Sequence, residues 1–300
     1  MTTRNGRGQL VTVFGGSGFV GRHTVRALAR SGWRVRAAVR RPDLAGHLQP
    51  MGNVGQIHAV QANVRYPDSV AAAVQGADAV INLVGILAPT GRQSFDAVHL
   101  KGAEAVAKAS AQAGIPRLVH MSALGADPNS NSDYAKSKGR AEEAVLAAFP
   151  GAVIVRPSII FGPEDEFFNR FASMAASAPL LPLIGGGRTR FQPVFVGDVA
   201  EAIKNACAGA GTPGTAYELG GPETATFRQL LEQIRKWTDR HPGFMPVPFW
   251  MAKVLAILTW PLPNALRPMT LDQVRLLQKD NVVSEAAIQE GRTLEALGVA

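Results

Sequence analysis

The ten residues Phe14–His23, FGGSGFVGRH, directly follow the apolar run Leu10-Val11-Thr12-Val13 and lead into TVRALARSG. Three glycines at three-residue spacing, Gly15, Gly18 and Gly21, close a turn between a strand-like and a helix-like segment. A bend that tight needs backbone conformations that side chains resist, and it lets an anion reach the backbone where no Cβ stands in the way. The amides that open the helix then face the anion, and the helix dipole favours negative charge there. A strand before such a turn and a helix after it confine the chain to a βαβ architecture.

The rest of the first half repeats the alternation. Candidate strands are Leu10–Phe14, Val35–Val39, Ile57–Gln61, Ala79–Val84, Leu118–Met121 and Val153–Arg156, separated by helix-like stretches at Val20–Ser31, Ser69–Val74, Phe95–Ala113 and Tyr134–Ala148. The strands are rich in Val and lack polar alternation, as strands of a parallel sheet covered on both faces do. The pattern predicts an α/β fold with a doubly wound parallel Rossmann sheet. After Arg156 the texture changes. PSIIFGPEDEFFNRF and PLLPLIGGGRTR are loop-rich, FQPVFVGDVAEAIKNAC reads as a strand and a helix, and TAYELGG as another short strand. From Thr226 the chain is helical and punctuated by prolines. The expected division is a Rossmann domain over 1–160 with returns at about 191–219, and a smaller, mainly helical C-terminal lobe over 161–190 and 220–300.

Composition narrows the function classes. A hydrophobic content of 46% with 18% charged residues suits a well-buried globular chain and not a disordered one. The excess of 31 Lys and Arg over 23 Asp and Glu favours phosphorylated ligands, anionic membrane surfaces or acidic partners. The basic residues are scattered, with no aromatic–basic ladder, so nucleic acid is not an expected partner. Cys207 is the single cysteine, which leaves no internal disulfide and fits a reducing compartment. The opening MTTRNGRGQL has neither an apolar signal region nor an Arg/Ser-rich leader, so a bacterial, cytosol-facing product is expected. No run of 18 apolar residues occurs, hence no simple membrane span is expected. The six histidines are dispersed and predict no metal site.

Two further positions carry chemistry. An NAD site places an acid at the end of the second strand, where it accepts from the ribose 2′-hydroxyl. Val39 stands there instead, followed by Arg40 and Arg41. With Arg22 they could surround a 2′-phosphate, which guanidinium groups grip in bidentate fashion, and NADPH/NADP is therefore the expected cofactor. Downstream, Ser122 ends a strand, and Tyr134 and Lys138 follow four residues apart. On a helix they share a face, so the ammonium is expected to depress the phenol pKa and the tyrosine to pass a proton during hydride transfer, with Ser122 orienting the substrate oxygen.

GGSGFVG, INLVG, YAKSK, VRPSIIFGP and PVFVGDVAEAI together resemble an extended or atypical short-chain dehydrogenase/reductase of the NAD-dependent epimerase/dehydratase kind, over nearly the whole chain. The resemblance implies Ser122, Tyr134 and Lys138 as the catalytic group. It implies cofactor contacts from Gly15, Ser17, Gly18, Phe19, Val20, Gly21, Arg22, Arg40, Arg41, Asn63, Val64, Leu83, Val84, Gly85, Tyr134, Lys138 and Pro157. Two positions depart from that superfamily: Phe14 where it has Thr before the first glycine, and His99 where an Asn supports its proton-relay water. His99 reads either as a relay or as a packed structural histidine.

VFGGSGFVGR, SALGAD, YAKSKGRAEEAV, RFQPVFVGDVAEAI and MTLDQVRLLQKDNVVS are, more narrowly, similar to the subunit-nine family of the respiratory complex I α-subcomplex. That family implies a tightly held NADPH with a structural role and docking on the peripheral-arm subunits of complex I. It also implies a peripheral place at the membrane surface, on the cytoplasmic side in a bacterium, with vestigial catalysis. The alternatives are a free NADP-dependent reductase or epimerase and a redox-sensing dinucleotide-binding regulator. PFWMAKVLAILTWPLP fits the accessory role: this helix candidate is interrupted only by Lys253 and Thr259. It is either core of the lobe or a face laid on membrane or partner, with Trp250 and Trp260 as interfacial residues. Arg188 and Arg190 are candidates for a phosphate contact, PEDEFF reads as a solvated loop, and Cys207 as buried and inert.

Overall fold

The structure is a computed structural model and describes residues 8–259 and 269–299. The alternation read from the sequence is realised as β1 (Leu10–Phe14), α1 (Phe19–Arg30), β2 (Arg34–Val39), β3 (Ile57–Gln61), α2 (Pro67–Val74) and β4 (Ala79–Asn82). It continues as α3 (Lys101–Gln112), β5 (Leu118–Met121), α4 (Asp133–Ala148) and β6 (Val153–Pro157). After an excursion containing α5 (Phe167–Ser177), the chain returns as α6 (Val196–Ala208) and β7 (Ala216–Leu219). The strands lie in the order β3-β2-β1-β4-β5-β6-β7, all parallel. The direction of winding reverses between β1 and β4, and in such sheets the crevice beyond the carboxyl ends of the strands at that point receives the ligand.

The inner strands β1, β4, β5 and β6 are buried on both faces, which is why they carry no polar alternation, whereas β3 at the sheet edge keeps His58 and Gln61 exposed. Val11, Val13, Ile81, Val119 and Val155 pack beneath α1 and α6 with Val25, Leu28, Val199 and Ile203. Val80, Leu118 and Ile154 pack on the opposite side with Val70, Val74, Val106 and Val145 of α2, α3 and α4. The stretch expected as one helix over Phe95–Ala113 is in two parts. A π-helical turn, Asp96–Leu100, precedes α3, and it carries His99.

The lobe has its own core. α5, α7 (Phe227–Thr238), α8 (Phe249–Leu258) and α9 (Leu271–Leu276) enclose Phe168, Leu181, Phe227, Leu231, Ile234 and Val274. A parallel ladder pairs Leu180–Ile184 with Gly243–Val247. The end of the chain departs from the expected division. After α10 (Glu285–Gln289), Leu294, Leu297 and Val299 insert into the cluster beneath α1 and α6. Ser284 N–H donates to Glu218 at 2.8 Å, and Glu218 N–H to the Arg292 carbonyl at 2.9 Å. β7 is an edge strand, and this last segment covers it, which satisfies backbone groups an open edge would leave bare. Phe191, within the expected return, instead packs with the lobe. Among the described residues, no helix is long and apolar enough to cross a membrane.

Candidate functional site

The glycine turn sits at the carboxyl end of β1, and its geometry explains its composition. Gly15 has φ of +79° and donates to the Ala38 carbonyl at 3.1 Å, tying the turn to β2. A Cβ on Gly21 would lie 2.1 Å from the Gly15 carbonyl oxygen, so the first turn of α1 can lie against the loop only as glycine. Gly18 differs. It is exposed, lines the cleft, and a Cβ there would meet only the Gly15 oxygen, at 3.3 Å. No side chain caps α1, and no acid lies in its first turn. Uncapped amides behind a glycine that leaves the approach open fit a pyrophosphate.

The cleft runs from this turn across the ends of β2, β3 and β4. Besides Gly15, Ser17 and Gly18 it is lined by Ala38, Val39, Arg40, Asn63, Val64, Leu83, Val84 and Gly85, and among the described residues no carboxylate lines it. The structure thus gathers most of the residues expected to hold a cofactor. It adds Arg65, Ile86 and Gln93, which the sequence reading missed. Arg65 follows Asn63-Val64 directly, so the carboxyl end of β3 was the available signal. Gln93 belongs to a loop and is recognisable only in three dimensions, where its Oε1 accepts from Arg40 Nη1 at 2.5 Å.

Of the three arginines expected around a 2′-phosphate, only Arg40 lines the cleft. Arg41 pairs with Asp43 at 3.0 Å on the surface. Arg22 pairs with Glu164 at 3.4 Å, and His23 bonds the same carboxylate at 3.0 Å. The segment PEDEFF is therefore not simply a solvated loop: Glu164 ties it to α1, and buried Asp165 accepts from the Phe168 amide at 2.5 Å to open α5. Phe19 packs partly buried against the core, Val20 and Gly21 are buried in α1, and Pro157 is buried at the end of β6, its carbonyl taking the Leu124 N–H at 3.0 Å. Arg190 pairs with Asp280 at 2.8 Å. Cys207 is fully buried, and burial pushes its thiol up to about 12, as an inert cysteine requires.

The second half of the site lies where Gly85 closes the cleft. A Cβ on Gly85 would stand 3.6 Å from His99 Nε2 and 4.0 Å from Lys138 Nζ, which places the β4 loop beside α4. Lys138 is buried and donates to the Met121 carbonyl at 2.8 Å; desolvation lowers its pKa to about 8, against the opposing pull of Glu142. Ser122, the next residue, is buried with its Oγ unpartnered among the described residues. Tyr134 packs edge-on against Phe95 and His99 at 6.0 and 5.6 Å. Its phenol does not show the expected depression: burial raises it to about 12. A desolvated phenolate is costly, and a partly neutral lysine does little to offset that.

His99 has both ring nitrogens engaged. Ile86 N–H donates to Nε2 at 2.9 Å, so Nδ1 carries the proton and donates to Ser137 Oγ at 2.8 Å. Ser137 in turn donates to the Tyr134 carbonyl at 2.7 Å. Burial first, and the Lys138 charge second, lower the His99 pKa to about 3. Neutral, stacked on Phe95 at 5.2 Å and bonded on both sides, this histidine joins the β4 loop to α4. Below it, Asn82 Nδ2 donates to His120 Nδ1 at 3.2 Å, and burial pushes the His120 pKa well below its ordinary value.

Fold, glycine turn and cleft define a nicotinamide-dinucleotide-binding protein of the short-chain dehydrogenase class. Residues 15–166 match the family of NAD(P)H-binding proteins, and residues 124–221 the 3-beta hydroxysteroid dehydrogenase/isomerase family. The mitochondrial NADH dehydrogenase (ubiquinone) 1 alpha subcomplex subunit 9 of Arabidopsis thaliana is 39% identical over 297 residues, covering 94% of this chain and 73% of its own. The 40 kDa subunit of Neurospora crassa NADH-ubiquinone oxidoreductase is 31% identical over 97% of this chain and 76% of its own. The chain belongs to this alpha subcomplex subunit 9 family. A ceramide reductase of Caulobacter vibrioides is 35% identical over 198 residues, 66% of this chain and 61% of its own. In fold, the chain is similar to the dTDP-glucose 4,6-dehydratase DesIV of Streptomyces venezuelae, solved with NAD (TM-score 0.68, 22% identity, 80% of this chain and 84% of that one). It is equally similar to Pal of Bacillus thuringiensis (TM-score 0.68, 18% identity, 97% and 99%).

Proposed function

We propose that the protein is an accessory subunit of a bacterial complex I (NADH:ubiquinone oxidoreductase), docked on the peripheral arm at the cytoplasmic face of the inner membrane, which holds NADPH chiefly as a structural element. The observation that carries this reading is α8. Only Ala252 and Ala256 of this helix are buried, whereas Trp250, Ile257 and Leu258 are 68%, 59% and 71% exposed. Val254 and Leu255 add to the same surface, with Met245 and Leu276 exposed on neighbouring elements. An enzyme free in solution gains nothing from so much bare apolar surface, and a partner or headgroup layer would cover it. Lys253, Arg275 and Lys279 lie in or near it and suit acidic protein or anionic lipid. Trp260, expected on this face, lies outside the described residues.

NADPH is preferred over NADH because Arg40 and Arg65 line a cleft with no carboxylate among its described residues. The amides behind Gly18 would receive the pyrophosphate, the two arginines the 2′-phosphate, and Lys138 and Tyr134 the nicotinamide end. When bound, the nicotinamide supplies a hydride acceptor or donor. The chain's own residues support retention more than turnover: His99, fixed as a strut, leaves no free nitrogen to relay a proton. Binding alone does not accelerate chemistry.

A second reading, a reductase, draws on Ser122, whose unpartnered Oγ is buried beside Lys138's acceptor Met121, and on the ceramide reductase relative. The two separate in the host. On the accessory reading Tyr134→Phe leaves complex I function nearly intact while Gly18→Asp abolishes it. Equal damage from both substitutions would favour the reductase.

A further inference from the structure

The segment MTLDQVRLL contributed to the resemblance, yet neither the nucleotide cleft nor the apolar face accounts for its Asp272. The structure places its α9 against the start of α4, the helix that bears Tyr134 and Lys138. The first two amides of α4 donate to one side chain of α9: Asp133 N–H to Asp272 Oδ1 at 2.8 Å, and Tyr134 N–H to Asp272 Oδ2 at 3.0 Å. Ser132 Oγ also donates to Asp272 Oδ2, at 3.0 Å, while accepting from the Ala135 amide at 3.2 Å. The amides that an α-helix cannot satisfy internally are thus taken up here by a carboxylate 138 residues from Tyr134 in sequence. Arg275, also on α9, donates to the Asn131 carbonyl at 3.0 Å, one residue before the cap.

We propose that Asp272 is a positioning residue: it is the link by which the lobe holds the start of α4, and with it Tyr134 and Lys138, in register with the nicotinamide end of the cleft. A local N-cap would have sufficed for helix stability, and Ser132 already provides one. A negatively charged acceptor at a helix N-terminus is favoured by the dipole, and here it also joins the two lobes. Its position is fixed from below, because Thr270 and Gln273 form a capping box on α9 and Val274 is buried in the lobe core. α9 in turn packs on α8. If α8 is the docking face, docking and nucleotide retention are linked through this one carboxylate and must influence each other reciprocally. That last step rests on the docking reading; the positioning role rests only on the chain's binding a nicotinamide dinucleotide.

The test uses the full chain purified with its nucleotide, as wild type, Asp272→Asn, Asp272→Ala and Asp272→Glu. Hydrogen exchange at α4 and the release rate of bound NADPH, followed by its fluorescence, are read together with the melting temperature. Asparagine keeps the size and one acceptor but loses the charge. The proposal expects Asp272→Asn to speed exchange at the first turn of α4 by about ten- to a hundredfold, the range for losing charge-assisted hydrogen bonds. NADPH release should quicken about tenfold, with Asp272→Ala at least as fast and Asp272→Glu partly restored. Faster exchange with unchanged release would reduce Asp272 to a cap and overturn the proposal. So would faster exchange spread over the whole chain with a matching fall in melting temperature, which would mean general destabilisation. A failure of α8 variants to detach the protein from membranes would sink the docking reading and leave this result standing.

Discussion

Replacing Gly21 by alanine adds one methyl group and tests whether the glycine turn is built as described. Its Cβ would stand 2.1 Å from the Gly15 carbonyl oxygen and 2.8 Å from the backbone of Gly16. An unstrained carbon–oxygen contact needs about 3.3 Å, so the helix and turn must part by roughly 1 Å. No flexible side chain can yield, because every obstructing atom is backbone, and the turn is pinned by Gly15 to Ala38 and by the Gly18 N–H to the Gly15 carbonyl at 3.0 Å. Overpacking of that severity costs about 3–5 kcal/mol, a large part of a typical folding free energy of about 5–15 kcal/mol. The melting temperature should fall by about 10 °C. Gly18→Ala is the control. Its Cβ would meet only the Gly15 carbonyl oxygen, at 3.3 Å, a contact relieved by a shift of a few tenths of an ångström, and its φ of −74° suits alanine, so stability should change by about 1 kcal/mol at most. That methyl group faces the approach of the pyrophosphate, however, and nucleotide affinity should fall by about one to two orders of magnitude. Calorimetric melting and nucleotide titration on both variants decide the matter. A Gly21→Ala protein that melts like wild type, or a Gly18→Ala protein that binds like it, would refute the reasoning.

Arg40→Asp should weaken NADPH binding far more than NADH binding, since it removes a charge-assisted phosphate contact and adds repulsion; equal losses for both nucleotides would exclude Arg40 as the discriminating residue. His99 has a pKa of about 3 in the fold against 6.5 for the free side chain, so between those values the unfolded chain takes up a proton the fold refuses. Stability should therefore fall as pH drops from about 6.5 toward 3, by up to about 5 kcal/mol from this group, with His120 acting in the same direction. Denaturant melts against pH should show a shallower acid limb for His99→Asn, and an unchanged limb would mean the ring is protonated in the fold. Leu255→Glu or Trp250→Glu should release the protein from membranes without emptying the nucleotide site. Joint loss of attachment and nucleotide would mean α8 is simply core, and unchanged co-sedimentation would put the contact elsewhere.

What could be read from the sequence was what local pattern dictates. β1, β3 and β5 run over the residues expected of them; β1 and β5, buried on both faces, leave a continuous apolar signature, which the edge strand β3 does not. β4 stops at Asn82, two residues short, since Leu83 and Val84 turn away to line the cleft. α2 starts at Pro67, where proline at the first position replaces the expected start at Ser69. That Tyr134 and Lys138 share a helix could be read from their spacing and place after β5, but the state of the phenol could not. It depends on burial by Phe95 and His99, which are distant in sequence from Tyr134. For the same reason Arg22 looked like a phosphate ligand, since nothing local reveals its pairing with Glu164; the Arg41 pairing with Asp43, two residues on, was within reach of the local sequence. The return of Leu294, Leu297 and Val299 to the main core and the reach of Asp272 to α4 are long-range pairings with no periodic signal.

The central claim is that this chain holds NADPH as part of a larger respiratory assembly. Its most direct test is to solubilise native membranes gently, separate the complexes, and assay each fraction for this protein, for NADH:ubiquinone oxidoreductase activity and for nucleotide released on denaturation. The account predicts that the protein co-migrates with that activity and carries about one NADPH or NADP⁺ per chain, in keeping with a single cleft at the switch point of the sheet. Recovery of the protein as a free species away from that activity, or with NAD(H) as its main nucleotide, would contradict it.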